Sequence, residues 1–210
     1  MIKKSIIATI IILLFPFNCF AMKVGVVSDI HAGSKGKRKS GTSVVYPRKG
    51  VDYFEKAVVE MKKNGVELVV SLGDNTHFGE KKYYKKLKNV EKKYGITVLW
   101  IKGNHDDKDF RILGRENYIY EKDGIKFEIR NNSHCFKDRN CVMKKTDADV
   151  LLQHVPPFYN DTCDWMPNYN SEIESAIWSG HWHDERVCGD VIIFPALTEH
   201  GKLNYRIIEL

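Results

Sequence analysis

The chain carries histidine, aspartate and asparagine residues in short polar motifs, and each motif directly follows an apolar run. Each of these side chains presents an imidazole nitrogen or an oxygen that can ligate a metal ion. Such a mixed set suits divalent ions of intermediate hardness, namely Mn, Fe, Zn or Co, whereas Mg and Ca prefer oxygen ligands alone. The residues that stand in these motifs are Asp29, His31, Asp74, Asn104, His105, His154, His181 and His183.

This number of candidate ligands exceeds what a single ion can use. Two divalent metal ions that share one carboxylate, about 3.5 to 4 Å apart, account for the set more economically. Imidazole also suits acid–base catalysis, because its unperturbed pKa of about 6.5 lies near neutral pH. The residue types therefore predict a paired-metal site with a proton donor beside it.

The apolar runs before the motifs predict the elements that position these side chains. Residues 23–28, 66–72 and 96–101 read as buried strands, and helical spacing of apolar residues predicts helices over 51–64 and 80–94. Strands that alternate with helices favour a parallel sheet, which places the strand ends at one edge. Residues 32–50 are predicted to form a loop. The later predictions are a hairpin over 119–129, with Asp123-Gly124 at its turn, and strands over 150–153, 176–179, 191–194 and 205–208.

Five motifs, in order, carry a resemblance to a known family: Asp29-Ile30-His31, Gly73-Asp74, Gly103-Asn104-His105-Asp106, His154, and Gly180-His181-Trp182-His183. Together they resemble the signature of the calcineurin-like metallophosphoesterase superfamily, over nearly the whole of residues 22–210. The resemblance implies an α/β fold, a four-layer α/β/β/α sandwich with two mixed β-sheets. Gln153 departs from the small hydroxyl residue often found before the fourth motif.

The resemblance also implies roles for the matching residues. Two divalent metal ions would activate a water that hydrolyses phosphodiesters or phosphomonoesters. His105 would assist the leaving group, and Asp106 would orient the His105 imidazole. The alternatives are a catalytically silent metal-binding or interaction scaffold of the same fold, and a protein phosphatase. The implied ligands are Asp29, His31 and His183 for the first metal, Asn104, His154 and His181 for the second, and Asp74 as the bridge.

Several polar and aromatic residues outside the motifs have open roles. His77 is interpreted as a polar loop residue rather than a site residue. The basic segment 35–39 follows the first motif and fits either a phosphate clamp or a solvated loop, and Arg48 lies further on. Arg111 and Arg115 are rival contacts to the substrate, residues 159–165 are a candidate aromatic wall, and His134 and His200 are left unassigned.

The first 21 residues have the layout of a secretory signal peptide, with a basic start, an apolar run and Ala21 at the end. Cleavage there predicts a periplasmic or secreted protein without stable membrane insertion, and an uncleaved membrane anchor is the alternative. Four cysteines remain, which predicts two disulfides in an exported chain. Of the three connectivities, Cys135 with Cys141 and Cys163 with Cys188 is favoured.

The composition excludes disordered and fibrous classes, since 43% of the residues are hydrophobic and 29% charged. Loss of Lys3 and Lys4 with the signal peptide lowers the net charge from +6 to +4. That mild excess suits a phosphate-ester small molecule or nucleotide. It is compatible with nucleic acid but does not indicate it.

Overall fold

A computed structural model describes residues 21–40, 43–136, 141, 145–158, 163–166 and 175–210. Residues 1–20 of the predicted signal peptide lie outside this part of the chain. The α-helices are α1 (Gly50–Lys63) and α2 (Lys81–Tyr94), and 3-10 turns cover Pro47–Lys49, Lys108–Ile112, Ser133–Phe136 and Glu199–Gly201. The strands are β1 (Lys23–Val27), β2 (Arg38–Ser40), β3 (Ser43–Val45), β4 (Leu68–Ser71), β5 (Thr97–Trp100), β6 (Tyr118–Lys122), β7 (Ile125–Ile129), β8 (Val150–Leu152), β9 (Ala176–Ser179), β10 (Arg186–Cys188), β11 (Val191–Ile193) and β12 (Arg206–Glu209).

The first sheet, sheet A, has the strand order β12-β1-β4-β5. Strands β1, β4 and β5 are parallel, with Val24 opposite Leu68 and Leu68 opposite Thr97. Helix α1 connects β1 to β4 and α2 connects β4 to β5, as the alternating pattern predicts. The edge strand β12 is antiparallel to β1, which makes the sheet mixed.

The second sheet, sheet B, has the order β10-β11-β9-β8-β7-β6. The central strands β7, β8, β9 and β11 are parallel, and β6 and β10 are antiparallel to their neighbours. The predicted hairpin is present as β6 and β7. Its turn residues Asp123 and Gly124 have φ of 53° and 82°, the left-handed values that a tight two-residue hairpin turn requires.

Two layers of apolar side chains hold the sheets and helices together. Val26 and Val70 from sheet A meet Leu152 and Trp178 from sheet B between the sheets. On the other face of sheet A, α1 and α2 pack their buried residues against Val69 and Trp100. An α/β fold with two mixed sheets is therefore confirmed.

The outer face of sheet B is covered differently from the outer face of sheet A. Within the described residues no α-helix lies there, and the 3-10 turn Ser133–Phe136 and neighbouring loop residues pack against Leu151 and Ile177. Both favoured disulfides, Cys135–Cys141 and Cys163–Cys188, are formed on this side. Loops of this kind have no hydrophobic period, so cross-links help to fix them.

Residues 32–50 differ from the predicted loop. Strands β2 and β3 form an antiparallel hairpin, and the turn Pro47–Lys49 leads from it into α1. The hydrophobic signal is only Val44 and Val45, both buried, beside a run of lysine, serine and glycine. Two adjacent apolar residues are too few to show the alternation by which a strand is recognised in a sequence. Among the described residues, no helix has the length and apolar character needed to cross a bilayer.

Candidate active site

The C-terminal ends of parallel strands from both sheets meet at one edge of the molecule. Sheet A delivers Asp29 after β1, Asp74 after β4 and Asn104 after β5. Sheet B delivers His154 after β8, and His181 follows β9. All the predicted ligands are therefore brought together, at the place where open α/β sheets position ligands.

The first cluster consists of Asp29, His31 and His183, whose ligand atoms lie within 4.8 Å of one another. His183 Nε2 lies 3.1 Å from His31 Nε2 and 3.3 Å from Asp29 Oδ1. Asp29 Oδ1 is fully buried and has no hydrogen-bond partner. An orphaned carboxylate oxygen that faces two imidazoles is costly unless it binds a cation, so this cluster fits a divalent metal.

The second cluster consists of Asp74, His154 and His181, again within 4.8 Å. His154 Nδ1 donates to the Leu72 carbonyl at 2.8 Å, which leaves His154 Nε2 to face the cluster. That nitrogen lies 3.0 Å from Asn104 Oδ1 and 3.4 Å from Asp74 Oδ1. The cluster and Asn104 together offer four donor atoms, two oxygens and two nitrogens, and this set suits a second divalent metal.

Asp74 reaches both clusters. Its Oδ1 lies 3.4 Å from His154 Nε2, and its Oδ2 lies 3.7 Å from His31 Nε2. His105 donates its backbone N–H to Oδ1 at 2.8 Å and so fixes the carboxylate. One side chain thus presents an oxygen to each cluster, which is the arrangement of a bridging ligand.

Backbone conformation at the site is unusual. Five of the predicted ligands have positive φ: Asp29 (49°), His31 (48°), Asp74 (49°), His181 (73°) and His183 (65°). Such values cost non-glycine residues about 1 to 3 kcal/mol each and concentrate at functional sites. Gly180 is needed beside them, because a Cβ there would lie 1.9 Å from Ser28 Oγ.

Charged groups within the clusters shift one another's pKa values. Burial opposes ionisation of Asp74, but the charge and hydrogen bond of His154 outweigh it, so the pKa of Asp74 is held below its usual range. Burial likewise disfavours the His154 cation, yet Asp74 raises the His154 pKa to about 9. Burial lowers the pKa of His31 to about 3 and that of His181 to about 4. Asp74 is therefore ionised and His31 and His181 are neutral at pH 7, as metal ligands must be, whereas His154 carries a proton that a bound metal would displace.

His105 lies at the wall of the site, where a ring nitrogen comes within 4.8 Å of those of His31 and His77, but it belongs to neither the Asp29 nor the Asp74 cluster. Its Nδ1 donates to the carbonyl oxygen of His77 at 2.9 Å, and its Nε2 is 3.9 Å from Asp74 Oδ2. The side chain is 39% exposed and faces the cavity. It can therefore exchange a proton with a bound molecule.

The interpretation of His77 as a polar loop residue was wrong. His77 Nδ1 lies 3.2 Å from His31 Nδ1, and its ring stacks on that of His105, with 5.1 Å between centroids and 15° between planes. Burial lowers the pKa of His77 to about 4. The sequence contained one indication that His77 lies at the site, namely its position three residues after Asp74, in the turn that follows β4.

The predicted orientation of His105 by Asp106 also needs correction. The buried Asp106 carboxylate accepts hydrogen bonds from residues of the turn after β4, from Gly103 and from the Tyr84 hydroxyl. The His105 ring instead bonds the His77 carbonyl. Asp106 therefore holds two turns together and reaches the imidazole only through them.

A cavity of about 470 Å³ opens above the clusters. The hairpin β2–β3 contributes Arg38 and Lys39, so the basic segment does reach the site. Arg38 Cζ lies 5.7 Å from the centre of the Phe78 ring. Within the described residues, Arg48, Arg111 and Arg115 do not line this cavity.

The aromatic surface of the cavity differs from the predicted one. Phe78 and Phe136, about half exposed, line the cavity with Trp182. Trp165 instead packs against Phe158, with 5.1 Å between ring centroids, and lines a separate pocket. Residues 159–162 of the candidate aromatic wall lie outside the described residues.

Comparisons with known proteins concern the fold and the family of the chain. A dimetal phosphatase from Danio rerio superposes with a TM-score of 0.65 at 13% identity, over 91% of this chain and 93% of that chain. The phosphoesterase Yfce from E. coli gives a TM-score of 0.47 at 14% identity, over 90% of this chain and 88% of that chain. No curated protein matches the sequence. The calcineurin-like phosphoesterase family model matches residues 22–185, and the chain belongs to that family.

Proposed function

We propose that this protein is a di-metal phosphoesterase that hydrolyses phosphomonoesters or phosphodiesters at the joint edge of the two sheets. The main support for the proposal is that the two carboxylate oxygens of Asp74 each face one of the two ligand clusters. The family is dimetal-dependent, and both clusters are composed of histidine and aspartate. When bound, two divalent cations would supply Lewis acidity towards the phosphoryl oxygens and lower the pKa of the attacking water.

The remaining residues of the site would bind the substrate and move a proton. Hydrolysis forms a bond from the water oxygen to phosphorus and breaks the ester P–O bond, so the leaving oxygen requires a proton. His105 would donate that proton from Nε2, and the hydrogen bond of its Nδ1 to the His77 carbonyl, which leaves Nε2 towards the cavity, supports this role. Arg38 and Lys39 would attract the anionic phosphate to the cavity.

Two other functions would make different demands on the site. A catalytically silent scaffold would bind metal but would not need the exposed His105 imidazole beside Asp74. A protein phosphatase would use the same clusters but accept a phosphoserine or phosphothreonine peptide. The cavity lining, which includes Arg38 and Phe136, does not favour a peptide over a small ester, so we keep the broader substrate class.

The test compares three substrates with one enzyme preparation. Protein stripped with chelator is reconstituted with Mn, Zn, Fe or Co and assayed with p-nitrophenyl phosphate, bis-p-nitrophenyl phosphate and a phosphoserine peptide. We expect metal-dependent release from at least one nitrophenyl ester, and the ratio of rates ranks monoester against diester. Absence of release with every metal and substrate would contradict the proposal and favour the scaffold.

We also propose that the protein is exported, with residues 1–21 removed as a signal peptide. The two disulfides support an oxidising compartment. Mass spectrometry of protein from the periplasm or medium is expected to give an N-terminus at Met22 and no free thiols. A product that retains Met1 in the membrane fraction would favour the uncleaved anchor, and free cysteines would contradict the oxidised state.

A further inference from the structure

Glu199 is a buried carboxylate outside all five motifs. It is 9% exposed and lies in the 3-10 turn Glu199–Gly201, where its Oε2 is 3.8 Å from Nδ1 of His183 in the first cluster. Its Oε2 accepts a hydrogen bond from Ser43 Oγ at 2.7 Å, and its Oε1 accepts from the Val44 backbone N–H at 3.3 Å. A buried carboxylate is costly unless its oxygens are paired, and here residues of β3 supply the hydrogen-bond donors, with His200 Nε2 3.1 Å from Oε1.

Ser43 connects Glu199 to the first cluster. Ser43 Oγ lies 2.6 Å from His183 Nδ1. A hydroxyl has one proton, and Ser43 donates it to Glu199, so Ser43 Oγ is left to accept from His183 Nδ1–H. That bond fixes the tautomer in which His183 Nε2 carries a lone pair, and Nε2 is the nitrogen that faces Asp29 at 3.3 Å.

Ser43 belongs to the hairpin that carries the basic residues of the cavity. In the register of β2 and β3, Ser40 is opposite Ser43 and Arg38 is opposite Val45. The hairpin is also held by a hydrogen bond from the Tyr46 backbone N–H to Thr198 Oγ1 at 3.2 Å. The hydrogen-bonded link from Glu199 through Ser43 to His183 therefore exists only when the hairpin is docked, since the direct distance from Glu199 Oε2 to His183 Nδ1, 3.8 Å, is too long for a hydrogen bond.

We propose that Glu199 is a positioning residue that acts through Ser43 on His183 and thereby couples metal binding at the first cluster to docking of the hairpin β2–β3. This inference rests on the proposed di-metal site. Outer hydrogen bonds of this kind raise the basicity of a ligating imidazole and fix its ring. By linkage, a metal that prefers the oriented imidazole also stabilises the docked hairpin, which carries Arg38 over the cavity.

The first experiment measures Zn²⁺ affinity by competition with a chromogenic chelator, so it does not depend on activity. Ser43→Ala and Glu199→Gln should each weaken one of two binding equivalents about 10- to 100-fold. Ser43→Thr keeps the hydroxyl and should bind Zn²⁺ as tightly as the wild type does. Ser133→Ala and Glu67→Gln are matched controls, because those side chains bond only Asn131 and Lys122 among the contacts described.

The outcomes separate this inference from the proposed function. If wild-type protein binds two Zn²⁺ and both variants bind them equally tightly, the positioning role of Glu199 is overturned. If wild-type protein binds no Zn²⁺, the proposed di-metal function fails and the inference fails with it. Equal unfolding midpoints for metal-free wild type and Ser43→Ala would show that the affinity loss does not come from general destabilisation.

The second experiment measures the coupling to the hairpin. Trypsin can cut after Arg38 or Lys39, and mass spectrometry identifies the fragments. At Zn²⁺ concentrations that saturate both proteins, metal should slow this cleavage in the wild type but much less in Ser43→Ala. Equal protection by metal in both proteins would overturn the coupling.

Discussion

Asp106 Oδ2 accepts hydrogen bonds from both the backbone N–H and the side-chain Nδ2 of Asn75, at 3.1 and 2.8 Å. These bonds connect the turn after β5, which carries Asn104 and His105, to the turn after β4, which carries Asp74. Burial, and then the charge of Asp74, raise the pKa of Asp106, while the backbone donors oppose that rise. The pair therefore sets the spacing between Asp74 and His105.

We expect Asp106→Ala to lower the free energy of unfolding by about 3 kcal/mol or more, because it leaves several buried donors without an acceptor. Urea denaturation of metal-free protein measures this change. Asp147→Ala is the matched control: its carboxylate is 84% exposed and bonds only Lys126 among the contacts described. A small effect for Asp106→Ala, similar to that of the control, would contradict the structural role.

We expect His105→Ala to keep two bound metals and to lower kcat about 10²- to 10⁴-fold, the usual contribution of a general acid. The ring belongs to neither the Asp29 nor the Asp74 cluster, and His31, with which it groups, keeps Asp29 and His183 as partners, so metal content measured by atomic emission should not change. The loss should be larger for alkyl phosphate esters than for nitrophenyl esters, because nitrophenolate leaves without a proton. An unchanged kcat, or the same loss for every leaving group, would contradict proton donation by His105.

The sequence predicted that the candidate ligands would lie together, because most of them follow an apolar strand within a few residues. Asp29, Asp74 and Asn104 follow parallel strands of one sheet, and parallel strand ends must share an edge. His154 and His181 have the same relationship to sheet B. The placement of the ligands could therefore be inferred from chain order and strand direction.

Contacts that depend on loop conformation or on distant segments could not be predicted in this way. His77 approaches His31 because the turn after β4 folds back over the site, with Asp74 at a positive φ. Ser43 and Glu199 are 156 positions apart, and nothing local to either residue indicates the other. Such pairs are fixed by tertiary docking, which overrides local preference.

We expect His77→Ala to lower kcat about tenfold, less than His105→Ala does. The hydrogen bond from His105 goes to the backbone carbonyl of residue 77 and survives the substitution, but the stacked ring that holds the His105 imidazole is lost. In the His105→Ala background the same change should have little further effect on kcat, since the two rings act as one unit. His77→Phe keeps the stack and should retain more activity than His77→Ala. Additive losses in the double variant would show instead that His77 acts on its own.

We expect Arg38→Ala to raise KM about tenfold with a smaller change in kcat, because Arg38 lines the cavity and removal of a charge-assisted contact weakens substrate binding. Monoesters should be affected more than diesters, since their phosphate carries more negative charge at neutral pH. Lys35→Ala is the matched control, because it removes the same charge from the same segment at a residue outside the cavity lining. Steady-state kinetics at low and at high salt measure both variants. If the two variants raise KM equally, and high salt abolishes both effects, the segment attracts substrate only by diffuse charge and Arg38 makes no specific contact.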